Sequence, residues 1–211
     1  MPAVLYYYPT FEAWSSGLLT GLSLFAVVGA QSAFILRQGI MRSHIITVIT
    51  VCALSDAIFI TLSVFGLKEI ILIIPSFKKI ILIFGILFLV SYSYQAAKRS
   101  INNNSNLIAA SGTAMTRKSA ILGALGFSLL NPHFWLDLIL IGSLASIFDD
   151  RSLAYAFGVI ISSILWLIVL GLGSRMFAPF FSSQRSWRVL DGLISILMLF
   201  MAVLLALKFE T

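Results

Sequence analysis

Six long apolar runs set the limits on what this chain can fold into. They cover residues 14–36, 45–67, 80–97, 120–148, 153–172 and 189–207. Each is close to or above the roughly 20 predominantly apolar residues that a helix needs to cross a bilayer. Inside hydrocarbon every backbone polar group must be satisfied within the protein, so continuous apolar runs of this length read as helices. Charged residues make up only 10% of the chain and the mean hydropathy is +1.04, whereas a soluble domain carries about 25% charged residues. The expected fold is an all-α integral membrane protein with six transmembrane helices. A five-span arrangement, with one weak run re-entrant, is the variant that the run lengths leave open.

The connections carry the charge. The first, "RQGIMRSH", holds Arg37, Arg42 and His44; the second holds Lys68, Glu69, Lys78 and Lys79. The third is the polar "SINNNSN", the fourth an Asp149-Asp150-Arg151 turn, and the fifth "SSQRS" with flanking Arg175 and Arg188. Counted in chain order from the N-terminus, Lys and Arg number 0, 2, 3, 4, 1, 3 and 1. By the positive-inside rule both termini are expected outside, which puts nine of these residues in the cytoplasm. The net charge of +6 is thus read as orientation and not as a nucleic-acid surface. No Lys or Arg lies between Met1 and Ser16, so the first run lacks the positive n-region of a signal peptide and is kept as a membrane helix. Cys52 is the single cysteine, which rules out an intrachain disulfide or dithiol relay. Tyr6, Tyr7, Tyr8, Trp14 and Trp187 suit an interfacial aromatic belt. Gly17 and Gly21 form a small-xxx-small pair expected to admit a close helix neighbour.

Some residues do not belong in hydrocarbon. An ionised group at the bilayer centre costs about 3 kcal/mol on insertion scales, yet Asp56 is central to the second run and Asp137 lies past the middle of the fourth. Asp191 begins the sixth run, where it can reach the interface and pair with Arg188, so it is set aside. Two intramembrane carboxylates in different helices point to an internal water-accessible site, with Asp56, Asp137 and His133 the embedded groups able to carry a proton. The bland alternative is that each carboxyl is neutral, hydrogen-bonded and holds helices together. Pro132 lacks an N–H and should kink or open the fourth helix near Ser128, with Asn131 and His133 available to the freed backbone. His133 and Asp137, four apart, share a helix face. With His44 the only other histidine, a metal ligand set is not expected, and no cofactor is implied.

The first run has its own interruption, "VVGAQSAF", with Gly29, Gln31 and Ser32. Each half of the chain therefore opens with a polar-interrupted run, followed by one with a polar step (Ser55-Asp56, Ser162-Ser163) and a plainer third. Three spans per half reverse the direction of the second half. That is the pattern of an inverted repeat, whose broken helices mark a binding site near the midplane. The expected organisation is one transmembrane domain, 1–211: a first half at 14–97, a polar cytoplasmic loop at 98–119 and a second half at 120–207.

"GAQSAF", "CALSD" and "NPHFWLD", in this order, resemble the lysine-exporter (LysE-type) family, most closely its arginine-exporter branch. The likeness covers about residues 17–207, and Asn-Pro-His-x-x-Leu-Asp is its most specific signature. The resemblance implies a multi-pass protein of the bacterial inner membrane that exports basic amino acids, arginine or lysine, driven by the electrochemical gradient, with protons as the expected coupling ion. It implies that Gln31, Asp56, Asn131, His133 and Asp137 contact substrate and that Gly29 and Pro132 sit at helix breaks. Ala30 departs from the family's Gly-Pro-Gln and leaves the extent of the first break open. Exporters of neutral amino acids share much of the pattern and are the alternative substrate class. An intramembrane enzyme using His133 and Asp137 is the alternative of a different kind. Partners are the lipid bilayer and a small solute, with self-association left open.

Overall fold

The computed structural model describes residues 3–26, 29–67, 75–101, 115–181 and 183–207. Lys68, Glu69, the Tyr6, Tyr7 and Tyr8 side chains and all of "SINNNSN" after Ile101 lie outside them. Among the described residues eight α-helices run in order: α1 Ala3–Phe25, α2 Ala30–Ile40, α3 Ile45–Leu62, α4 Pro75–Ile101, α5 Arg117–Leu129, α6 Pro132–Ala145, α7 Ser152–Gly173 and α8 Gln184–Leu207. A π-turn, Ser63–Leu67, follows α3, and 3-10 segments Ser146–Arg151 and Ser174–Phe181 flank α7. Among the described residues there is no strand.

All six apolar runs are helical, and two are split. The first divides into α1 and α2, bent by 79°, with Gly29 in extended conformation (φ −116°, ψ −165°) before α2. The fourth divides into α5 and α6 at Leu130 and Asn131. Among the described residues three stretches are long and apolar enough to cross a membrane, Ile45–Gly66, His133–Phe180 and Gln184–Leu207, and a fourth qualifies if the bent α1–α2 pair counts as one span. His133–Phe180 is itself interrupted at Asp149, whose φ of 46° lies in the left-handed region. At the polar connection expected over 98–119, α4 continues to Ile101 and α5 starts at Arg117, capped by the Thr116 hydroxyl accepting from Ser119 N–H, and residues 102–114 lie outside the described residues.

The outer surface is apolar. Leu54, Ile58 and Ile196 are each more than half exposed, and a water-soluble fold does not leave contiguous apolar surface on this scale. Inside, α1 packs along α7 and α4 along α8, while α3 packs against both α7 and α5. The Ser174–Phe181 segment covers α2, and the π-turn covers α6. The α1–α7 approach is glycine-dependent. A Cβ on Gly17 would lie 2.0 Å from the Tyr155 carbonyl oxygen, and one on Gly158 would lie 2.1 Å from that of Trp14. Gly21 faces the Ser162 hydroxyl, which a Cβ would meet at 1.8 Å. Small residues at such crossings let backbones touch.

Candidate functional site

The two helix breaks and the middles of α3 and α7 meet around one cavity of about 280 Å³, near the lower limit of small-molecule pockets. Gly29 and Gln31 come from the break before α2, Asn131, His133 and Asp137 from the start of α6, and Asp56 from α3. These six, named from sequence, are drawn from three separate helical segments and line the same space. Pro132 is the first residue of α6. It does not kink a continuous helix at Ser128, as an interior proline would. At that first position no intrahelical N–H is missing, and its ring biases Asn131 towards the extended backbone observed (φ −88°, ψ 109°).

The two breaks differ in how they treat their backbone. At α6, Asn131 Oδ1 accepts from His133 N–H at 3.1 Å, and the Asn131 carbonyl accepts from Phe134 N–H at 3.1 Å. That helix end is satisfied internally. At α2, Gly29 supplies no side-chain cap, so its first-turn N–H groups carry the partial positive charge of an open helix start. The break in the first run therefore forms with Ala30 present, Gly29 standing in extended conformation immediately before α2.

Asp56 is buried, and Ser163 Oγ of α7 donates to its Oδ2 at 2.5 Å. Asp56 Oδ1 has no hydrogen-bond partner among the described residues. Gln31 Nε2 donates to Ser128 Oγ at 3.4 Å, a long bond. His133 is exposed and Asp137 partly buried. Although both line the cavity, no hydrogen bond or ion pair joins them among the described contacts. Among the described residues the cavity wall contains two carboxylates and no Lys or Arg, so its fixed charge favours a cation.

Sequence reasoning passed over Ser163 as a partner for Asp56 and did not single out Trp166, Leu167 or Met201, which complete the wall. The Ser162-Ser163 step was visible as a polar mark in an apolar run; the Trp166 position carried no signal.

A second buried polar cluster corrects the reading of Asp191. The Asp191 carboxylate meets Arg37 and Arg99. It is buried, with Oδ1 accepting from Arg37 Nε at 3.0 Å and from Arg99 Nε at 3.2 Å. Arg37 also lies 6.0 Å from the Trp187 ring centroid and Arg99 5.4 Å from that of Tyr92. Trp187 is accordingly buried. This cluster ties the end of α2 to the end of α4 and the start of α8.

An all-helical membrane protein with a carboxylate-lined cavity where two interrupted helices meet is built as a translocator. The chain belongs to the LysE type translocator family, whose profile matches residues 22–209. It is 32% identical to YggA of Aeromonas salmonicida over 198 residues, 93% of this chain and 96% of that protein. It is 30% identical over 198 residues to the arginine exporter protein ArgO of Escherichia coli K12, covering 93% of this chain and 94% of ArgO. ArgO of Enterobacter sp. strain 638 is 30% identical over 192 residues, 90% of this chain and 91% of that protein. No solved structure is significantly similar to the chain.

Proposed function

We propose that this protein exports basic amino acids, arginine or lysine, across the bacterial inner membrane in exchange for protons. The observation that carries this reading is the cavity wall, where Asp56 and Asp137 stand with no Lys or Arg among the described residues. A basic amino acid brings an α-ammonium, a cationic side chain and one carboxylate. The two Asp carboxylates complement the cations, and arginine's guanidinium suits a carboxylate in bidentate geometry. The uncapped start of α2 complements the carboxylate. Gln31, Asn131 and His133 line the rest of the solute's path. The name of the ArgO relatives supports arginine as the substrate.

Energetics requires coupling. Moving a positive charge outward against an inside-negative potential costs about 2.3 kcal/mol per 100 mV. A uniporter would therefore accumulate cationic amino acids inside. Inward proton movement through Asp56, Asp137 or His133 supplies the drive.

The access mechanism in this reading uses an inverted repeat of six spans, with both termini outside. Exchanging α1–α4 with α5–α8 leaves the packing scheme unchanged: α3 meets α7, α4 meets α8, α1 on α7 becomes α5 on α3, and each short helix after a break is covered by the segment following the opposite half's second span. Such repeats rock about a midplane site.

The test loads cells with an arginine-containing dipeptide and follows free arginine outside. Cells carrying the protein should release arginine faster than cells lacking it, and a protonophore should abolish the difference. Equal release with and without the protein would refute export, and release insensitive to the protonophore would refute proton coupling.

A further inference from the structure

We propose that Trp166 reads the α-carboxylate of the transported molecule, its indole N–H supplying the hydrogen bond that separates an amino acid from the corresponding amine; this rests on the export reading above. Trp166 lines the cavity, and its Nε1 is buried with no partner among the described residues. A buried indole N–H normally finds an acceptor, and an orphaned one is costly. The same cavity holds one orphaned acceptor, Asp56 Oδ1 on a side chain only 3% exposed. One unpartnered donor and one unpartnered anionic acceptor are what a zwitterion would satisfy together.

Their relative placement follows from α7. Ser163 fixes Asp56 by bonding Oδ2, which leaves Oδ1 for a ligand. Trp166 stands three residues further along the same helix, and residues three apart are neighbours on one helix face. The donor is therefore set about one helical turn from the acceptor it complements. Among the described residues no Lys or Arg lines the wall to meet a carboxylate. At α6 the Asn131 side chain and carbonyl already occupy the first-turn N–H groups. Trp166 and the open start of α2 are left to receive it. The indole face could instead stack on a cation, and a substitution that keeps an aromatic ring distinguishes the two roles.

The experiment uses the full-length protein in detergent and measures binding of arginine and of agmatine, which is arginine without its carboxylate. In the wild type, agmatine should bind about ten- to a hundredfold more weakly, the scale of one hydrogen bond to a charged group. In Trp166→Phe, arginine affinity should fall by about tenfold or more while agmatine affinity stays put, so the gap between the two ligands narrows to what the start of α2 contributes. Trp166→Gln, which restores a donor without the ring, should recover part of the discrimination and also guards against misfolding of the first variant. Unchanged arginine affinity in Trp166→Phe, or equal losses for both ligands, would overturn the assignment. A wild-type protein that binds no amino acid would instead overturn the export reading, and this inference with it.

Discussion

Ser93 and Ser195 donate to each other's backbone: Ser93 Oγ to the Ser195 carbonyl at 2.9 Å and Ser195 Oγ to the Ser93 carbonyl at 3.0 Å. Residues 102 positions apart thus make the same contact in both directions across α4 and α8, as a local two-fold would require. Because each serine loses one bond of the same kind on truncation, Ser93→Ala and Ser195→Ala should destabilise the protein by similar amounts. The expected loss is about 0.6 kcal/mol each, the mean for interhelical hydrogen bonds in membranes. Thermal unfolding in detergent checks this, and a loss confined to one serine would speak against a reciprocal contact.

Gly158 and Gly17 set how closely α1 lies on α7. Gly158→Ala places a methyl group where the Trp14 carbonyl oxygen stands, at 2.1 Å. Backbone atoms cannot step aside as a flexible side chain can, so the helices must separate. A destabilisation of about 1–3 kcal/mol is expected, the range for overpacked cores. Gly173→Ala, with nothing within 4 Å of the added atom, should show little change in the same assay.

Asp191 holds two guanidinium groups. Asp191→Asn leaves Arg37 and Arg99 without their shared counter-charge in a buried setting. Breaking a buried pair in this way costs about 3–5 kcal/mol. The variant should therefore be recovered in low yield and unfold at markedly lower temperature. Normal thermal stability would mean that the cluster is not a structural tie.

The break between α5 and α6 is held by Asn131. Replacing it with Ala removes the cap on His133 N–H and should cost about 1 kcal/mol. Pro132→Ala should change stability far less than the roughly 3 kcal/mol gained by removing a proline from a helix interior, because Pro132 opens α6 at its first position. Comparing the two variants in one unfolding assay tests where the helix starts. A large gain from Pro132→Ala would place the proline inside a continuous helix.

The residues most legible in the sequence were those that hydrocarbon penalises most. Asp56, Asp137 and Asn131 stood out because apolar runs rarely tolerate them, and the fold brings them to one cavity. Both helix interruptions were visible too, one through Gly29 and the other through Asn131-Pro132. Asp191 was misread for a physical reason. Near the end of an apolar run an acid can reach water, and its true partners lie 154 and 92 residues away, beyond any helical periodicity. Arg37 was read as a loop cation because arginines at the ends of apolar runs usually orient the chain. Trp166 left no trace because an aromatic residue in a membrane helix is unremarkable until its N–H is found without an acceptor.

The central claim is that the Asp56 cavity carries a cationic amino acid outward, and arginine export by an Asp56→Asn variant tests it most directly. The substitution keeps the shape of the side chain and an oxygen for Ser163 Oγ to donate to, while removing the charge. At membrane levels matched to the wild type, arginine release from dipeptide-loaded cells should fall about tenfold or more, the scale of one lost charge-assisted bond. Export at the wild-type rate by a well-inserted Asp56→Asn protein would contradict the account.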